Sequence, residues 1–290
     1  MDPKTLNALV HDREAAFYDD RFLIDYDRRV GPEVRRDLHR LLGEAPRAQR
    51  ALDVACGTGY AAIGLAAGAM AEEVHGCDLS PEMIRHARTN ADAANTTARF
   101  AVCDAETLPY TDDAFDLVIA RGALHHVPEP LVALTEIRRV LSPGGTAIVL
   151  AEPTPGGEMQ TGAVVGLAVR AVEVWKRLRG RTNDPDELFR KHWELASIAA
   201  NLHTFEPEDL ALLAEKAGFE DIVVGTASWA WVLALGLNYY LVGEFERAAR
   251  IPIVRRLARA AVDAAGAFDR AIADRVVPLR WRHTVQAVLR

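Results

Sequence analysis

The sequence predicts an α/β fold, a mostly parallel sheet with helices on both faces, and three observations carry that prediction. Short apolar runs alternate with helix-length segments from residue 48 to residue 153. A glycine turn, "ACGTGYAA", joins the first run to an alanine-rich helix. Acidic residues, Asp53, Asp78 and Asp104, stand at or near the ends of the first three runs. Ligands of such sheets gather at the carboxyl ends of the strands.

The elements follow in order. "RALDVAC" (50–56) reads as a strand, 60–70 as a helix and "EEVHGCD" (72–78) as a strand. "SPEMIRHARTNADAA" (80–94) is a helix with Ser80 as its cap and Pro81 in its first turn. "ARFAVCD" (98–104) and "FDLVIAR" (115–121) are the third and fourth strands. A helix within 129–141 and the strand "GTAIVLAEP" (145–153) follow. Crossovers of this length are right-handed and keep neighbouring strands parallel. The alternation then breaks over 156–203, which holds a helical stretch and the turn "TNDPDE". It resumes with a helix at 206–219 and a strand at 221–228. Helical sequence fills 229–279, and "HTVQAVLR" (283–290) reads as a last strand.

The expected organisation is therefore an N-terminal helical lid (1–47), a core (48–155) and a cap insertion (156–203). The core continues over 204–228, a second helical cap covers 229–279, and 280–290 returns to the sheet.

Composition narrows the function. A net charge of −7 disfavours nucleic acid, whose phosphates need a basic surface. Cys56, Cys77 and Cys103 lack metal-ligand spacing and suit a reducing cytoplasm, as small space-fillers along one floor. The N-terminus has no basic stretch followed by an apolar core, so no signal peptide is expected. The most apolar run, 229–242, is shorter than the roughly 20 residues of a spanning helix.

Gly57, Gly59 and Ala62 fit a dinucleotide-type turn, and Asp78 stands 21 residues after Gly57, suited to ribose hydroxyls. On that evidence an NAD(P)-dependent oxidoreductase is one reading. Asp53 opposes it: a carboxylate beside the turn repels a diphosphate and favours an ammonium or sulfonium group. Either aspartate taken alone also has a plain structural reading, as the cap of a turn or of a helix.

"LDVACGTG", "CDLSPEMIRHAR", "CDAETLPYTDDAFDLVIARGALHHVPEP" and "EIRRVLSPGGTAIVLAEP" together resemble the class I S-adenosylmethionine-dependent methyltransferases. The nearest likeness is the broad group containing the ubiquinone and menaquinone biosynthesis enzymes. The resemblance implies a Rossmann-like seven-stranded sheet with an antiparallel last strand. It implies that Asp53, Ala55, Cys56, Gly57, Thr58 and Gly59 hold the methionine part of S-adenosylmethionine. Asp78 would bind the ribose, with Leu79 and Met83 against the adenosine. Asp104, Ala105 and Glu106 would meet the adenine, and Arg121 and Gly122 would lie beside the cofactor. Tyr18, in "AAFYDDRF", would belong to a segment closing over it. Ala55 stands where the family usually has a glycine, which is acceptable if its backbone angle is ordinary.

His125 and His126 follow the fourth strand and are the candidate catalytic bases, although methyl transfer depends chiefly on alignment. No metal is expected, because His125 occupies the position where related quinone-pathway enzymes carry a metal-associated glutamate. His192 and His203 read as surface or packing residues. In the second cap segment Ile253, Val254, Leu257, Ala258 and Ala261 share a helical face, with Arg255, Arg256 and Arg259 elsewhere. The expectation is a cap helix packed on its neighbours with its arginines in water; weak contact with a membrane surface is the second reading. The expected activity is methyl transfer to a small, fairly apolar acceptor, leaving S-adenosylhomocysteine. A non-catalytic cofactor-binding regulator is the remaining alternative.

Overall fold

The structure, a computed structural model, describes residues 2–178, 200–244 and 251–290. The turn "TNDPDE" and His192 lie outside the described residues.

Seven strands form one sheet: β1 (Ala48–Val54), β2 (Ala71–Asp78), β3 (Arg99–Val102), β4 (Phe115–Arg121), β5 (Leu141–Pro153), β6 (Ile222–Ala227) and β7 (Thr284–Leu289). Their order is β3-β2-β1-β4-β5-β7-β6. β1 to β5 run parallel, and β7 runs antiparallel between β5 and β6. The order reverses between β1 and β4. A crevice opens at such a point, because the following crossovers leave to opposite sides.

Alternation along the central strands sorts the core into two layers. Leu52, Val118, Ala120 and Val149 meet Leu134 and Ile137 of α5 (Pro130–Val140) and Leu210 of α7 (Pro207–Lys216). On the other face Ala51, Leu117, Ile119 and Ile148 meet three helices, α2 (Val30–Leu42), α3 (Tyr60–Ala67) and α4 (Pro81–Ala93), through Leu38, Ile63 and Ile84. Each such leucine or isoleucine contributes roughly 2 kcal/mol on burial. As expected, the Ser80 side chain caps α4 by accepting the Met83 N–H at 3.0 Å.

Two expectations fail in the packing. Cys77 and Cys103 are joined in a disulfide, with Cα atoms 5.6 Å apart, and are not free thiols. β2 and β3 are paired in register, and the Cys103 N–H donates to the Asp78 carbonyl, so the two side chains meet at the strand ends. Cys56 stays a buried free thiol. The second failure concerns the cap, which comprises α6 (Pro155–Leu178), α8 (Ala230–Glu244) and α9 (Pro252–Phe268). Two of the three arginines of α9, Arg255 and Arg259, are turned inward, and only Arg256 is exposed as expected. Arg255 reaches Asp20, Asp25 and the Ile24 carbonyl, and Arg259 reaches Glu33 and the Leu23 carbonyl. Acidic residues on the N-terminal helices and in their connection attract these two arginines and turn the helix over. Ala258 turns inward with them, while Ile253 and Leu257 face out. No helix among the described residues is long and apolar enough to cross a membrane.

Candidate active site

The cavity sits at the reversal point, over the carboxyl ends of β1, β2 and β4, and α1 (Pro3–Arg21) closes it from above. Its floor is the glycine turn. Gly57 and Gly59 have φ of 54° and 94°, in the left-handed region that costs a Cβ-bearing residue about 1–2 kcal/mol. A Cβ on Gly57 would also meet the Tyr18 ring at 3.8 Å. Ala55 shares this geometry at φ 53°, so the condition under which alanine would replace glycine without strain is not met. The tight exit from β1 imposes the angle, and alanine bears the strain.

Each carboxylate at a strand end is pinned by peptide N–H groups. Asp53, 2% exposed, accepts the Ala62 N–H at 2.9 Å and so caps α3 from the strand below. Burial pushes its pKa up to about 7. Asp78 accepts from Gly57 N at 2.8 Å with one oxygen and from Ser80 N at 2.9 Å with the other. Burial raises its pKa as well. Both residues have the structural role, each capping a turn or a helix start, and both also line the cavity. Asp104 accepts from Glu106 N at 2.9 Å and pairs with Lys4 of α1 at 2.6 Å.

Of the expected cofactor residues, Tyr18, Asp53, Ala55, Cys56, Gly57 and Thr58 line the cavity, as do Asp78, Leu79, Asp104, Ala105, Arg121 and Gly122. Three do not. Gly59 turns beneath the helix it starts, against Ile63 and Phe100. Met83 is fully buried in α4. Glu106 pairs with Lys4 and accepts the Glu129 N–H. The Arg121 guanidinium lies over the Tyr60 ring, 4.9 Å from its centroid, and brings the cavity a positive charge.

The two histidines separate. His126 lines the cavity, and burial holds its pKa well below the ordinary histidine range, which keeps the ring neutral. Its Nδ1 lies 3.1 Å from the Ala200 carbonyl. A carbonyl only accepts, so Nδ1 carries the proton and Nε2 is the ring's acceptor. His125 does not line the cavity, which corrects the expectation that both face an acceptor. Its Nδ1 donates to Glu152 at 2.8 Å. Glu152, with no exposed surface, also accepts the N–H groups of Ala123, Leu124 and His125. That carboxylate shapes the loop carrying His126. His203 fits its packing role, with its ring 3.2 Å from the Pro128 carbonyl.

Sequence reasoning missed Glu152 and a group on α1. Lys4, Asn7 and His11 line the cavity beside Tyr18. Their spacing of 3, 4 and 7 residues puts them on one helical face, a signal present in the sequence. The His11 and His126 rings meet edge to face at 4.7 Å. Asn7 donates to the His126 carbonyl at 2.8 Å.

Comparison with known proteins fits this geometry. Residues 52–149 match the family described as "Methyltransferase domain". The core thus has the fold and the sequence likeness of a methyltransferase domain. A demethylmenaquinone methyltransferase of Thermus thermophilus is 40% identical to this chain over 121 residues, 42% of this chain and 54% of the relative. A malonyl-[acyl-carrier protein] O-methyltransferase of Halorhodospira halophila is 37% identical over 113 residues, 39% of this chain and 38% of that one. The chain thus spans about half or less of the length of these relatives. The methyltransferase fold also appears in a Haemonchus contortus phosphoethanolamine N-methyltransferase solved with S-adenosylhomocysteine. That structure has a TM-score of 0.54 and 20% identity, and the match covers 89% of this chain and 52% of that one.

The residues present suit the family's cofactor. A buried aspartate raised to about 7 is a group that a nearby sulfonium cation stabilises in its charged form.

Proposed function

We propose that the protein transfers the methyl group of S-adenosylmethionine to a small, fairly apolar organic acceptor of the quinone-like, lipid-like or secondary-metabolite class. The observation that carries this reading is the convergence of Asp53, Asp78 and Asp104 with the α1 face and His126 on one cavity. When bound, the cofactor supplies an electrophilic methyl group on a cationic sulfur. The turn from Ala55 to Thr58 would hold its methionine part. Asp78 would accept from the ribose hydroxyls, with Leu79 beside the adenosine. Asp104 and Ala105 would meet the adenine after Lys4 yields its bond.

His126, neutral and with Nε2 as its acceptor, is suited to taking a proton from an acceptor hydroxyl or amine. Lys4, Asn7, His11 and Tyr18 would exclude water. The acceptor class is supported by the demethylmenaquinone and the malonyl-[acyl-carrier protein] named for the two relatives.

The test is incubation with methyl-labelled S-adenosylmethionine and panels of demethylated quinones and acyl carboxylates, followed by organic extraction. Label in an apolar product, strongly reduced in His126→Ala, is the expected result. Binding of NADH in place of S-adenosylhomocysteine would remove the methyltransferase assignment. Cofactor binding without label in any product would leave a regulatory binding protein.

A further inference from the structure

We propose that the outer face of α9 docks on the surface of an anionic lipid bilayer. On a 3.6-residue helix Ile253, Leu257, Ala260, Ala261, Ala264 and Phe268 fall within one arc of about 100°. All six are exposed, Leu257 at 64%, Ile253 at 58% and Phe268 at 40%. The helix is held in this orientation from its opposite side. Arg255 and Arg259 pair inward with Asp20, Asp25 and Glu33. Asp269, just past the helix, accepts the N–H groups of Trp229, Ala230 and Trp231 and so fastens its end to α8.

An amphipathic helix on a water-soluble surface presents the reverse arrangement, with charges outward. This helix, fixed with its apolar arc outward, matches the acyl–headgroup boundary of a bilayer, where such a face is withdrawn from water. The chain continues the pattern beyond the helix. Ile272, Val276, Leu279 and Trp281 are exposed at 48%, 67%, 63% and 51%. An exposed tryptophan at the end of an apolar row suits the headgroup level.

Charge selects the occupant. Residues 251–282 carry seven arginines against three aspartates, in a chain whose net charge is −7. Arg256, Arg270 and Arg275 are exposed in this segment. A second copy docking by the same face would bring these cations together, whereas anionic headgroups neutralise them. A bilayer also holds apolar compounds of the proposed acceptor class, but the docking argument rests only on the helix and stands without the catalytic reading.

The experiment is flotation of the full chain with vesicles of phosphatidylglycerol mixed with phosphatidylcholine, beside vesicles of phosphatidylcholine alone. The chain should float with the anionic vesicles and be released by raised salt. Leu257→Glu combined with Phe268→Glu should lower the bound fraction about ten-fold, and Arg256→Glu with Arg270→Glu should act similarly. Leu212→Glu, on the exposed side of α7, should leave binding unchanged. Circular dichroism establishes that each variant is folded, and the arginine pair provides a second reading should the apolar pair unfold. Absence of flotation with anionic vesicles overturns the proposal. So does binding that both paired variants leave intact. A dimer in sedimentation that Leu257→Glu with Phe268→Glu dissociates, without vesicle binding, overturns it in favour of self-association.

Discussion

At the carboxyl edge of the sheet, Asp53, Asp78 and Glu152 are held by peptide N–H groups. Along the seam between the N-terminal helices and α9, Asp20, Asp25 and Glu33 are held by arginine side chains. The contrast is energetic. Backbone donors are already fixed by the fold, so a carboxylate that meets them orders little else and is shielded from salt. An arginine pair must freeze two long side chains in part-exposed surroundings, where screening weakens it. The floor of the cavity is therefore rigid, while the seam that ties lid to cap is releasable.

The sharpest way to break this comparison is Glu152→Ala. It strands several buried donors and should destabilise the fold by about 3 kcal/mol or more, read by chemical denaturation. A loss no larger than that of an exposed ion pair would erase the distinction between floor and seam. Asp78→Ala comes next. It should weaken S-adenosylhomocysteine binding by about 1–3 kcal/mol in calorimetry, because the proposed ribose contact would go together with the Gly57 anchor. Unchanged affinity would remove Asp78 from the cofactor site. On the seam, Arg259→Ala should cost about 1 kcal/mol at low salt, and the deficit should shrink in concentrated salt. A deficit that salt leaves untouched would mean the pair behaves like the floor. The smallest effect expected is a gain. Ala55→Gly should stabilise by about 0.5–1 kcal/mol in thermal melts, since glycine accepts φ 53° without strain.

The same contrast explains what could be read in advance. Asp78 and Asp104 stood out because each ends an apolar strand, and strand ends address the ligand crevice whatever the rest of the chain does. The antiparallel β7 came only with the family resemblance, since pattern alone does not orient a strand reached over a long excursion. Glu152 was hidden because its partners belong to a loop 27 residues earlier, and its one signal was a lone acid in "GTAIVLAEP". The α9 stripe was visible as a stripe, but its direction was set by Asp20, Asp25 and Glu33, more than 220 residues away in sequence. Periodicity finds a face. Long-range charge decides where that face looks.

The central claim is that a buried, carboxylate-lined floor receives a positively charged nucleoside derivative, and the pH dependence of binding tests it most directly. Burial raises the Asp53 pKa to about 7 even with the Ala62 N–H and the Arg121 guanidinium opposing the shift, so its charged form is lost as pH falls through that value. Calorimetry at about pH 6, 7 and 8 should show affinity for S-adenosylmethionine rising with pH. S-adenosylhomocysteine, which lacks the sulfonium charge, should stay nearly level. Parallel curves for the two ligands, or tighter S-adenosylmethionine binding at the acid end, would contradict the account.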